Sequence, residues 1–406
     1  MSTPKRNHYP PMTQTTIEVE DTRPACKVCG HRSHWLGDHL MEAHGMSVAE
    51  YLAAHPGAPT ASQEALDKLA TTINGRRSAA PMPEDLTTNV MGYTQSVDVG
   101  VSEDLCLPMP RHWRWPSKGK AAEAIKDAFL DVLGDDETDV WVWGMPGTSK
   151  DSSIKALCAS LRIPSVIVQI KPGQDLAPLF YVRALKDGNT FYEYGHIWKC
   201  ITEGVVGSDG VRRPVLVLIS DFDRADPAQI EWFRLVLEEG GRINGPDGKV
   251  FNLFPGTRFV ATANTNGSGD ERGRMVSAGV IDSSIMDRFN SAVEFKYMHW
   301  DDESAILRAK FPLVSEQQPA FLDQIGGATA ALRKSIDRDD LYAEFSHRAL
   351  CSVMGRAERI LKVEGRWGTK SSRRAWRAWL CKLDRDNSDA AKAIIDSHMS
   401  GGALDD

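Results

Sequence analysis

The stretch from Asp139 to Ser153, DVWVWGMPGTSKDSS, constrains this chain more than any other. Its β-branched and aromatic run Val140-Trp141-Val142-Trp143 reads as a buried strand, and Ile154 to Leu161 reads as the helix that follows. Between them lies Gly144-Met145-Pro146-Gly147-Thr148-Ser149-Lys150-Asp151-Ser152, which parallels the phosphate-loop pattern G-x-x-x-x-G-K-[ST]. At such a turn the backbone N–H groups converge on a polyphosphate, the helix N-terminus favours its charge, and the lysine reaches the outer phosphates. Gly144 through Ser152 are therefore the candidate nucleotide-binding residues. Two positions depart from the pattern. Ser149 stands where glycine is usual, and Asp151 stands where a magnesium-binding hydroxyl is usual.

A chain of 406 residues holds two to three domains and enough apolar material for a real core. The net charge of -7 carries no global basic excess, which argues against nucleic acid as the main partner. No apolar run approaches the roughly 18 to 20 residues of a membrane span, and MSTPKRNHYPPM has no signal-peptide core, so a cytoplasmic protein without a membrane partner is expected. Seven cysteines, an odd number and mostly isolated, fit reduced thiols in that compartment.

Residues 1–22 are polar, proline-bearing and aperiodic, and are expected as a disordered arm. Cys26, Cys29, His39 and His44 then form C-x2-C-x9-H-x4-H, a full ligand set for one structural zinc ion in a finger over 23–55. This stretch, with its tail Gly45-Met46-Ser47-Val48-Ala49-Glu50-Tyr51-Leu52, resembles the short zinc finger of the Ros/MucR bacterial regulators. That resemblance implies DNA binding. Between Arg23 and Glu42, however, only Arg23, Lys27 and Arg32 face Asp38 and Glu42, too few to neutralise many phosphates, so a recruitment or stability module is favoured. Residues 56–110, rich in Pro, Ala, Thr and Ser, read as a linker with one short helix near Ser62 to Ile73.

Beyond the loop, Val215 to Ile219 is wholly apolar, hence a central parallel strand, and it runs into Ser220-Asp221-Phe222-Asp223. Carboxylates at such a strand end, facing a phosphate loop, manage magnesium and an attacking water. A further strand, Thr257 to Ala261, ends in Thr262-Ala263-Asn264-Thr265-Asn266-Gly267, where an amide can orient that water. Residues 301–390 are helical in pattern. Within them Trp376, Trp379, Leu380 and Leu383 fall on one helix face, which predicts core packing rather than nucleic-acid stacking. Residues 391–406 are expected as a disordered tail.

The order of these motifs over about residues 111–365 resembles the AAA+ ATPases, and within them the MoxR-like branch that includes the ATPase subunit of aerobic cobaltochelatase, the CobS type. The residues that carry it are GMPGTSK, DFDRADPAQIEWFRLVLEEG, ATANTNGSGD, Met286-Asp287-Arg288-Phe289 and Phe345-Ser346-His347-Arg348-Ala349-Leu350. The resemblance implies an α/β P-loop domain over 111–300, a helical lid over 301–390, and Mg-ATP hydrolysis used to remodel a partner protein. Lys150 matches the phosphate lysine, Asp221 the acid that polarises water, and Asn264 the sensor asparagine, with Asn266 the weaker candidate. Arg288 matches the arginine offered to a neighbouring subunit, and Arg348 the lid arginine that reports nucleotide. A trans arginine implies a homo-oligomeric ring, commonly a hexamer. The cobaltochelatase likeness further implies a partner with a von Willebrand A-like domain. Aligned through the D-x-D segment and LVLEEG, Asp151 holds the hydroxyl position and Ser220 the aspartate position, an exchange with Asp151 the expected magnesium ligand. It is preferred to the other register, with Asp221 as the supporting aspartate, which leaves Phe222 at the water-activating position and only Asp223 nearby. The alternatives are a nucleotide-gated DNA-binding regulator and a hydrolysis-deficient ATP-binding scaffold.

Overall fold

The computed structural model describes residues 23–63, 65, 87–134, 138–186, 189–237, 241–270, 273, 278–368 and 370–399. The expected N-terminal arm, most of the short helix near Ser62 and the end of the expected tail lie outside them. The chain divides into two compact units, Met1–Pro81 and Met82–Asp406.

The first unit is built on helices α1 (Gly37–His44) and α2 (Val48–Ala54). Gly45 ends α1 in the left-handed conformation that favours glycine, and Ser47 with Glu50 forms a reciprocal capping box that starts α2. Cys26, Leu36, Leu40 and Tyr51 make its small core, and the Lys27 amide donates to the Tyr51 hydroxyl at 2.8 Å, tying the cysteine knuckle to α2.

The second unit contains a five-stranded parallel sheet: β1 (Val140–Trp143), β2 (Ser165–Gln169), β3 (Leu216–Ser220), β4 (Arg258–Ala263) and β5 (Ser291–Glu294). Their spatial order is β5-β1-β4-β3-β2, with every pairing parallel. Because side chains alternate across a strand, Val140, Val142, Leu216, Leu218 and Val260 enter one core with α3 (Gly119–Leu133) and α4 (Lys150–Leu161). Trp141, Val217, Ile219, Phe259 and Ala261 enter the other, which includes Phe233 of α5 (Pro227–Val236). Covered on both faces, the strands read as unbroken apolar runs. This is an α/β sheet of parallel strands with the stretch from Gly144 to Ser152 at the end of its first strand, as the motif order implies. Antiparallel hairpins are inserted between its elements, among them Tyr181–Lys186 paired with Asn189–Tyr194, which exposes Leu185 and Phe191.

After the sheet come α6 (Trp300–Lys310), α7 (Pro319–Asp337), α8 (His347–Glu364), α9 (Ser371–Leu380) and α10 (Arg385–Asp396), packed round a third core of Leu307, Leu322, Leu350, Trp376 and Trp379. The tryptophan stripe of α9 is buried, and the Trp379 indole N–H donates to the Glu344 carbonyl at 3.0 Å. Truncating either indole would cost about 3 to 5 kcal/mol. Helix α10 continues to Asp396, into the segment expected as tail.

The second half of the segment expected as linker is packed. Thr87–Val90 pairs with Tyr93–Ser96, Val90, Val101 and Leu107 are buried, and the Leu107 amide donates to Ser165 Oγ at 2.8 Å where β2 begins. Single apolar residues spaced among Thr, Ser and Pro show no period, so only their docking on the sheet reveals them. No described helix is long and apolar enough to cross a membrane.

Candidate nucleotide site

The loop between β1 and α4 stands at the carboxyl edge of the sheet. Its shape depends on three left-handed or glycine-only positions: Gly144 at φ 147°, Gly147 at φ 79° and Ser149 at φ 69°. A Cβ on Gly144 would meet the Phe295 carbonyl oxygen at 2.2 Å, so only glycine lets β1 leave the sheet there. Ser149 adopts the conformation that the usual glycine would take, at a cost of about 1 kcal/mol. The first amides of α4 have no intrahelical acceptor and face the loop.

Lys150 is buried, and its ammonium donates to Gly144 O at 2.7 Å, Met145 O at 3.2 Å and Asn264 Oδ1 at 3.2 Å. An arriving phosphate must exchange with at least one of these. Burial lowers the ammonium pKa to about 8, against the pull of Asp151, Asp223 and Asp221. Asn264, at the tip of β4, is thus the amide on the lysine, whereas the Asn266 side chain accepts from the Ser268 amide and hydroxyl.

Asp151 and Ser220 meet. Ser220 Oγ donates to Asp151 Oδ2 at 2.8 Å, and Thr262 Oγ1 donates to Asp151 Oδ1 at 2.6 Å. One carboxylate on the first turn of α4 therefore joins the tips of β3 and β4. Thr262 lies inside the ATANT stretch, yet its side chain carried no signal that set it apart from an ordinary strand threonine. The donor set is all oxygen, which suits Mg²⁺.

The two acids after β3 differ. Asp221, itself left-handed at φ 57°, accepts from Gln169 Nε2 at 2.7 Å and keeps a partly exposed carboxylate. Asp223 is fully buried; its Oδ2 accepts from the Asn264 and Thr265 amides at 2.8 and 3.2 Å, while its Oδ1 has no partner among the described residues. Burial raises its carboxyl above the usual aspartate range, opposed by those two amides. Asp223, one of the two carboxylates offered at that strand end but given no role of its own by the sequence, is bound to the backbone of Asn264 and Thr265.

The lid lies on the loop. A Cβ on Gly147 would come within 2.7 Å of Ser346 Cβ and 3.0 Å of the His347 amide, and the Tyr297 hydroxyl donates to Pro146 O at 3.2 Å. Arg348, exposed on the first turn of α8, is near enough to act on the charge of Lys150. The Arg288 guanidinium donates to Ser284 O, and Phe289 beside it anchors the segment on Trp141 at 5.4 Å. A cleft of about 910 Å³ opens on the Asn264 side, reaching Met145, Thr148, Tyr297 and Arg333. Lys150 does not line it, but its ammonium donates to two residues that do, Met145 and Asn264.

In the first unit the donor atoms of Cys26, Cys29, His39 and His44 all lie within 4.8 Å of one another. Cys26 Sγ is 3.7 Å from His44 Nε2 and Cys29 Sγ is 3.2 Å from His39 Nε2, separations that the edges of a tetrahedral site require. His31 stacks on His39 at 4.2 Å and stays outside the four.

No protein-family model matches the chain, and no curated protein matches it. Among solved structures, a point mutant of Thermotoga maritima RuvB is similar at 13% identity and a TM-score of 0.41, over 66% of this chain and 72% of that one. A second point mutant of the same protein follows at 14% and 0.39, over 66% and 69%. NtrX from Brucella abortus, in complex with ADP, is similar at 12% and 0.42, over 63% of this chain and 53% of that one. Likeness this remote carries no weight, and the fold rests on the strand order and the loop.

Proposed function

We propose that this chain is a cytoplasmic, ring-forming AAA+ ATPase of the MoxR-like branch that binds and hydrolyses Mg-ATP to remodel a partner protein. The observation that carries this reading is the convergence of two adjoining hydrogen-bonded pairs, Lys150 with Asn264 and Asp151 with Ser220, from one helix and two strand tips. Lys150 exchanges its loop carbonyls for the outer phosphates. Asn264 follows the lysine and aims the attacking water, Asp221 takes a proton from that water on its open carboxylate oxygen, and Asp223 holds the Asn264 backbone in place. Mg²⁺, bound with the nucleotide, would be held by Asp151 with Ser220 and Thr262 behind it, and would neutralise phosphate charge. Arg348 reports nucleotide to the lid and Arg288 serves a neighbour's site in the ring, a hexamer on the AAA+ resemblance. Cys26, Cys29, His39 and His44 bind one structural zinc, making the first unit a recruitment module. On the cobaltochelatase likeness, the partner carries a von Willebrand A-like domain.

The test is Mg-ATP binding and turnover by the full chain and by Lys150→Ala. Wild type should bind and hydrolyse, and the variant should lose at least about 100-fold in affinity, the loss of a charged hydrogen-bonding group. A wild type that binds no Mg-ATP sinks the reading; one that binds without turnover establishes the scaffold instead.

A further inference from the structure

A thiol, an imidazole and a carboxylate stand in line inside the lid, outside the constellation described above. Cys351 Sγ lies 3.3 Å from Nε2 of His347, one turn earlier on α8, and Nδ1 of the same ring lies 2.9 Å from Oε1 of Glu303 on α6. Glu303 is buried and gripped by both terminal nitrogens of Arg333, at 2.7 and 2.9 Å. The exposed Lys310 donates to Cys351 Sγ at 3.5 Å.

The order of the groups sets where the proton goes. Glu303 stays ionised beside Arg333 and holds a proton on Nδ1, so Nε2 is the atom left to take the thiol proton, giving an imidazolium against a thiolate. Burial alone would lower the imidazole, but the hydrogen bonds to Cys351 and Glu303 raise it to about 9. Burial alone would raise the thiol, but His347 and then Lys310 bring it below the ordinary value.

The same fold supplies a comparison. His196 and Cys200 have the same spacing on helix His196–Glu203, with Sγ 3.6 Å from Nε2. Among the described residues no carboxylate stands behind that ring, and burial leaves the Cys200 thiol above its ordinary value. Cys106 and Cys158 are likewise pushed up by burial, to about 11 and about 12. The Glu303 relay, not the histidine spacing, distinguishes Cys351, which is also only partly buried.

We propose that Cys351 is a reactive thiolate and a modification site, oxidised by hydroperoxides to the sulfenic acid. The sulfur attacks the terminal peroxide oxygen, an S–O bond forms as the O–O bond breaks, and sulfur loses two electrons to the peroxide. The departing alkoxide, or hydroxide from hydrogen peroxide, takes the Nε2 proton of His347 and leaves as the alcohol or water.

The full chain should be alkylated with iodoacetamide at pH 7 and each cysteine followed by mass spectrometry, with the exposed Cys381 as internal reference. A thiol held below its ordinary value carries more thiolate at pH 7, so Cys351 should react several-fold faster than Cys381. Stoichiometric hydrogen peroxide with dimedone should label Cys351 first. His347→Gln should bring its alkylation down to the Cys381 rate. Lys310→Met, at an exposed position that leaves folding intact, should slow it by a smaller factor. Equal rates at Cys351 and Cys381, a Cys351 rate that neither variant changes, or dimedone labelling that starts elsewhere would overturn the proposal.

Discussion

Ser220 donates to the Asp151 carboxylate at 2.8 Å although 69 residues separate them in the chain. A phosphate loop with aspartate after its lysine looks defective by itself, and so does a central strand that ends in serine rather than aspartate. Side by side they bring one carboxylate and one hydroxyl to one place, as the proposed Mg-ATP site requires, with Thr262 donating to the second carboxylate oxygen at 2.6 Å.

That arrangement predicts a rescue. Asp151→Ala should abolish Mg-dependent nucleotide binding, and Ser220→Ala should weaken it about 10-fold, the loss typical of a group that orients a metal ligand. The double change Asp151→Ser with Ser220→Asp should retain more activity than either single change. Calorimetric titration with and without Mg²⁺ decides it, and a double variant no better than the worse single one rules out the exchange.

Arg288 should act across a subunit boundary. Arg288→Ala should bind ATP nearly as wild type does and lose turnover, as a side chain that serves a neighbour's site rather than its own would. Mixing it with Lys150→Ala subunits should recover part of the activity at mixed interfaces. If mixed rings form and no ratio recovers any, the trans role is lost.

Chelation should act on one unit only. Four donors within 4.8 Å leave no open coordination position, so zinc removal should unfold residues 23–55 while the melting of the second unit stays where it was. Amide hydrogen exchange, resolved by peptide, would report both. A first unit still protected in excess chelator would refute the zinc site.

Acid should loosen the lid through Glu303. Burial alone would raise its carboxyl, but hydrogen bonds from His347 and Arg333 hold it at about 2, well below the ordinary glutamate value of 4.5. A depressed carboxylate stabilises the fold above its unfolded pKa and loses that contribution as pH falls toward the folded one, here between about 4.5 and 2, a contribution on the order of 3 kcal/mol. Glu303→Gln should therefore be less stable than wild type at pH 7, and the gap should narrow by pH 3. Denaturant unfolding read by the fluorescence of Trp376 and Trp379 measures it; a gap unchanged by acid would show that the charge contributes nothing.

Much of this was open to a reader of the sequence alone. Val140 to Leu161 declares a strand, a loop and a helix because period and glycine placement are local properties, and the tryptophan stripe of α9 declares a buried face for the same reason. Cys26, Cys29, His39 and His44 declare a site because ligand spacing within one short segment limits where the donors can be. Ser149 shows the limit: nothing in its identity says that it occupies the glycine conformation, which the loop imposes at φ 69°.

What only the tertiary structure decided is which distant residues meet. The sheet order β5-β1-β4-β3-β2 brings the ends of β3 and β4 together and so makes Thr262 and Ser220 joint partners of Asp151. Docking of residues 87–110 on the sheet buried Val90 and Leu107, which a linker-like composition concealed. His347 with Cys351 and His196 with Cys200 are the same spacing on paper. They differ because packing α6 against α8 places Glu303, 44 residues away, behind only one of the two rings. Local pattern follows from backbone geometry, whereas a group's charge state follows from what packing puts next to it, and that is set by the whole chain at once.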